Sequence, residues 1–158
     1  MRLLLIPVLL AASGALSEAR GAGNDLCLLF TKSEASAYLG APVGAGQSSL
    51  IPGMPGCTWS DDGTGAKLSL SVSPAGNALQ LKTWGFESWE GFRSVPDIGA
   101  RAYVARSPMM EVMGKKIGGD WQAGAIVGSD YVAVGLKGPK GDAGAAIGLL
   151  KEVLRRRR

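Results

Sequence analysis

From residue 56 to residue 73 apolar and polar positions alternate. Cys57 and Trp59, then Leu68, Leu70 and Val72, fall on one side, and Ser69, Ser71 and Ser73 fall on the other. A period of two is the signature of a strand with one buried face. Asp61-Asp62-Gly63-Thr64-Gly65 between the two runs is a turn sequence, so a hairpin is predicted here. A second pair of runs, DWQAGAIV (120–127) and DYVAVGLK (130–137), flanks Gly128-Ser129, a two-residue hairpin loop with glycine first. RAYVAR (101–106) follows the turn SVPDIGA (94–100) as a short strand. MMEVMGKK (109–116) fits neither period cleanly and is taken as strand.

Helical periodicity marks three other stretches. Thr31 with Glu34 three residues later forms a capping box; Ala35, Tyr38 and Leu39 then share a face, and Gly40 and Pro42 close the helix. Near the C-terminus Ala143, Ala146, Ile147, Leu150, Val153 and Leu154 keep the 3.6-residue period behind Asp142, a good N-cap. A third helix is predicted over 76–92, GNALQLKTWGFESWEGF, with Ala78, Leu81, Trp84, Trp89 and Phe92 on one side. GPKGDAG (138–144) has glycine at every third position but is far too short for a triple helix, and reads as a loop feeding the last helix. Tight turns and this order of elements predict an α+β fold: a mainly antiparallel sheet of about five to six strands with helices packed on one face.

The first residues change where such a fold would reside. One arginine and about ten apolar residues precede a run of small residues, the make-up of a secretory signal and too short for a bilayer span. A signal peptide over 1–19, cleaved between 17 and 22, and a single α+β domain over 24–158 with a basic tail are expected. Acidic Asp25 before Cys27 is unsuited to a lipidation box. The product is therefore expected as an exported protein, periplasmic or extracellular. In an oxidising compartment the only two cysteines, Cys27 and Cys57, are expected to pair, free thiols being the other possibility.

Charge narrows the partners. The formal charge is +4, yet Arg155, Arg156, Arg157 and Arg158 supply four of the 17 cations, leaving 13 against 13 acids. The body is neutral and nucleic acid is not expected. The tail could touch an anionic membrane surface, or be a solvated helix end beside the negative pole of the helix dipole. TWGFESWEGF (83–92) holds four of the ten aromatic residues. On a helix they cannot all face inward, so Trp84, Phe86 and Trp89 are candidates for a binding patch, with Phe86 turned to solvent.

The chain has no histidine, which excludes Ser-His, Cys-His and His-metal sites within it. No phosphate loop or nucleophile elbow is present, and Asp61-Asp62-Gly63 lacks the spaced ligands of a calcium loop. No cofactor or metal is expected. Glu87 and Glu90, three apart on the predicted helix, are the carboxylates that could do acid–base work on a glycan. Two readings follow: a non-catalytic envelope or periplasmic module binding a protein, lipid or glycan, or a carboxylate-based cell-envelope hydrolase.

The succession of Cys27, LFTKSEASAYLGAPV (29–43), GCTW (56–59), VPDIGARAYV (95–104) and a basic C-terminal helix resembles a family of small bacterial secreted or lipid-anchored envelope proteins of unknown function. The resemblance spans most of residues 26–155, with Ala100 where members often carry an acid. It implies an envelope location and no particular reaction.

Overall fold

The computed structural model of the chain describes residues 25–49, 51–75, 86–99 and 101–158. The signal peptide expected over 1–19, Trp84 and the first ten residues of the helix predicted over 76–92 lie outside them. A 3-10 turn, Leu26–Leu29, leads into helix α1, Lys32–Leu39. There the capping box forms as expected: Glu34 N donates to Thr31 Oγ1 and Thr31 N donates to the Glu34 carboxylate. Gly40 ends α1 at φ +68°, the left-handed position that glycine occupies without strain.

Seven strands make one antiparallel sheet. In chain order they are β1 (Gln47–Ser48), β2 (Gly56–Asp61), β3 (Ala66–Pro74), β4 (Glu90–Ser94), β5 (Ala102–Arg106), β8 (Trp121–Val127) and β9 (Asp130–Lys137); across the sheet the order is β1-β2-β3-β9-β8-β5-β4. A separate two-stranded hairpin pairs β6 (Met110–Val112) with β7 (Lys115–Ile117). The sheet is thus larger than the sequence suggests. Two residues of β1 are too few to show a period, and β4 lies in the stretch predicted as helix.

That prediction fails from Phe86 onward: Phe86–Ser88 is a 3-10 turn and Glu90–Ser94 is a strand. Spacings of three and four in Trp89, Phe92 and their neighbours imitate a helix, but Gly91 decides the matter. It sits at φ +66° within a register shift of β4, and a Cβ there would lie 2.7 Å from the Trp121 ring. The chain bulges at this point because only glycine accepts both the dihedral and the close approach.

One face of the sheet carries the main core. Trp59, Leu68, Leu136 and Val104 from β2, β3, β9 and β5 are fully buried in one cluster with Ala35 and Leu39 of α1. Helix α2, Ala143–Arg156, adds Ala146, Leu149, Leu150 and Val153 to the same cluster, so both helices cover this face. Asp142 caps α2, accepting from Ala145 N at 2.7 Å. Cys27 and Cys57 form the disulfide, with Cα atoms 5.1 Å apart, tying the 3-10 turn to β2. Phe30 then meets Trp59 and Tyr38 edge-on, at 6.2 and 5.7 Å between centroids.

Candidate binding surface

The opposite face of the sheet is where the aromatic segment lands. Phe86 is only 4% exposed, its ring 4.9 Å from that of Tyr103 and 4.3 Å from that of Trp89. Phe92 stacks on Tyr103 at 6.1 Å, and the Tyr103 and Tyr131 hydroxyls hydrogen-bond at 2.5 Å. Gly124 makes room beneath them; a Cβ there would lie 2.7 Å from the Tyr131 hydroxyl. Burial pushes both phenol pKa values above the ordinary range, so the pair stays protonated. Phe86 is therefore not the solvent-facing ring the sequence suggests. The 3-10 turn and the Gly91 bulge replace the helical geometry from which that orientation was read, and turn Phe86 down onto β5. Trp89 is half-buried at the edge of this second cluster.

Nor is the C-terminal run a free tail. Arg155 and Arg156 belong to α2. Arg156 reaches Glu152 at 2.6 Å, Glu34 at 2.7 Å and the Leu29 carbonyl, with its guanidinium 4.4 Å from the Phe30 ring centroid. Arg155 also pairs with Glu152, and Arg157 pairs with Asp130 at 2.9 Å. Hydrogen bonds from Arg156 hold Glu34 down to a pKa of about 2, and those from Arg155 and Arg156 do the same for Glu152. Three of the four arginines are thus joined to acids of the domain. The expectation of a purely solvated helix end does not hold, because Glu34 and Leu29 are brought to Arg156 only by the fold.

The two glutamates considered for acid–base work are not on one helix. Glu87 is exposed in the 3-10 turn, while Glu90 begins β4 and faces Arg106 at 3.5 Å. Asp61 spends its carboxylate on the turn it starts, accepting from Thr64 N and Thr64 Oγ1, both at 2.8 Å. Among the described residues no three His, Cys, Asp or Glu side chains converge on a common point.

The stretch 109–116, taken as strand, is extended, but sequence reasoning missed that it folds back on itself as the hairpin of β6 and β7. Every residue from 108 to 117 is exposed. Met113, at its tip, is 97% exposed, and Met109, Met110, Val112 and Ile117 are 43–54% exposed. Register pairs Met110 with Ile117 and Val112 with Lys115 on one face, and Glu111 with Lys116 on the other. The loop residues Met113 and Gly114 both have positive φ, +52° and +75°. Hairpin loops of this twist are ordinarily Asn-Gly, and methionine in the left-handed region is disfavoured by its Cβ. The signal in the sequence was five large apolar residues between Pro108 and Gly118-Gly119, with no periodic partner to cover them.

The root of this arm, in contrast, is locked. Ser107 N donates to Asp120 O, Gly119 N to Ser107 O, and Asp120 N to Ser107 Oγ. Lys137 reaches the Gly118 carbonyl at 3.0 Å and Arg106 the Gly119 carbonyl at 3.3 Å. Asp120, 5% exposed, is neutralised by Lys67 at 2.5 Å. A Cβ on Gly118 would lie 2.0 Å from the Pro108 carbonyl oxygen, so the two legs of the arm cross with no space between them. A firm base thus presents a wedge of uncovered apolar side chains.

No family model, curated protein or solved structure matches this chain. Among the described residues no helix is long and apolar enough to cross a membrane.

Proposed function

We propose that this chain is an exported, non-catalytic binding module of the bacterial cell envelope or periplasm, and that the β6–β7 hairpin is its contact element. One observation carries the reading: five large apolar side chains are held in water on an arm whose root is fixed by hydrogen bonds and ion pairs. Uncovered apolar side chains gathered on one element mark an interaction site more often than scattered ones do. The export half of the proposal draws on the N-terminal apolar run and on the disulfide, which persists in oxidising compartments. The envelope resemblance of the segments around Cys27, Cys57 and Val95 points the same way.

A photo-reactive amino acid placed at position 113 in the native envelope tests the contact element, with position 64 in the β2–β3 turn as the comparison site. Adducts at 113 that are absent at 64 are expected; equal labelling at both positions would remove the hairpin from the proposal. Intact mass of the mature protein tests export, since a mass retaining residues 1–17 contradicts it.

A further inference from the structure

We infer that the hairpin's partner is an anionic lipid surface into which the arm inserts shallowly. This rests on the reading of β6–β7 as the contact element. The arm is a wedge, two strands wide and three residues long on each side, so roughly 5 Å by 10 Å. A stable protein interface covers about 800 Å² on each partner with some 20–30 residues, more than this element can offer. A deformable lipid interface needs no matching surface. Amphipathic elements seat about 5–10 Å deep at the headgroup–acyl boundary, which is the length of this arm.

The residue types agree with that medium. Met110 and Met113 are unbranched and adapt to an irregular apolar surrounding. Lys115 and Lys116 immediately follow the tip, and neither forms an ion pair with another of the described residues. With Met113 among the acyl chains, their long stems would lift the ammonium groups to the level of lipid phosphates, where a negative surface attracts them. The left-handed Met113 is a second and independent sign. A strained apolar residue at the most exposed point of a turn that asparagine would fit better points to a function for that side chain. Insertion is shallow because the outer edges of β6 and β7 carry unpaired backbone groups, which water and headgroups satisfy and hydrocarbon does not.

The test is sedimentation of the mature protein with vesicles of phosphatidylcholine alone and of phosphatidylcholine with phosphatidylglycerol. Association with the anionic vesicles is expected, at least ten-fold weaker with the neutral ones and falling with added salt. Met113→Asp, at a site with no packing to lose, and independently Met110→Asp, should each weaken it at least ten-fold with an unchanged melting temperature. Lys115→Glu with Lys116→Glu should remove the salt-sensitive part, whereas Arg155→Gln with Arg158→Gln should leave binding intact. Association that survives both aspartates, or that is lost with the arginines alone, overturns the inference. Absence of vesicle binding also overturns it. In that case a protein adduct at position 113 leaves the hairpin as a contact element with another partner, and absence of any adduct there removes both readings.

Discussion

Among the described residues two hairpins turn on two-residue loops, and they have opposite fates. β8 and β9 turn at Gly128-Ser129, run for seven paired positions and lie in the interior of the sheet, with Ala123, Ala125, Val132, Val134 and Leu136 in the core. β6 and β7 turn at Met113-Gly114, pair over three positions and bury nothing. Gly128 takes its positive φ of +60° without cost, while Met113 takes +52° against the steric preference of an L-residue. An isolated two-stranded hairpin is marginal in water. The second one persists because its root is clamped, so its order comes from the domain and its surface is left free. Local turn chemistry makes a hairpin; only tertiary contact decides whether it becomes core or arm.

The largest expected effect separates domain from arm at the disulfide. Reducing Cys27–Cys57 reopens a loop with a sequence separation of 30 and should lower the stability of the domain by about 3.7 kcal/mol, read by denaturant unfolding. The arm, rooted elsewhere, should keep its position-113 cross-linking in reduced protein that is still folded. Leu136→Ala, at a fully buried position of the first hairpin, should cost about 2–5 kcal/mol, whereas Met110→Ala in the second should fall within about 0.5 kcal/mol. Similar losses at the two sites would mean that the arm is packed after all. Gly124→Ala drives a methyl group into the Tyr103–Tyr131 pair and should cost about 1–3 kcal/mol, with altered near-ultraviolet dichroism of the aromatic cluster.

Acid should act on the domain and not on the arm. Glu34 and Glu152 have folded-state pKa values near 2, below the ordinary 4.5, so their contribution is complete above the ordinary value and is lost as pH falls from about 4.5 towards 2. In Arg156→Gln that part of the acid sensitivity should shrink; a melting temperature that falls with pH as steeply as in the parent protein would contradict the clasp. The smallest effect belongs to the arm. Met113→Asn creates the loop that the geometry prefers, and should slow amide exchange over residues 110–117 about five-fold, equivalent to about 1 kcal/mol, without moving global unfolding.

Much of the domain was legible because neighbouring residues carry its signals. Thr31 and Glu34 announce α1, the serines opposite Leu68, Leu70 and Val72 announce β3, and two cysteines admit one bridge. What was illegible depends on distant residues. Gly91 is a bulge because Trp121 lies against it, Phe86 is buried because β5 presents Tyr103, and Arg156 is a clasp because α1 brings Glu34 within reach. The arm was illegible for the reverse reason. Its apolar residues stay exposed among the described residues, and a pattern that looks for a buried face finds none.

The Arg156 clasp also sets an order in time. Its partners Glu34 and the Leu29 carbonyl lie 122 and 127 residues earlier in the sequence. A chain emerging from its N-terminal side presents Cys27 and Cys57 together long before α2 arrives. The covalent bond can therefore close while most of the sheet is still unmade, but the guanidinium can lock α1 only after the final turn of α2 has followed. Until that moment the Phe30 ring lacks its cation, and the 3-10 turn and α1 are held to the nascent domain by sulfur and by their apolar contacts alone. This corner of the fold is therefore completed only once the final turn of α2 has formed.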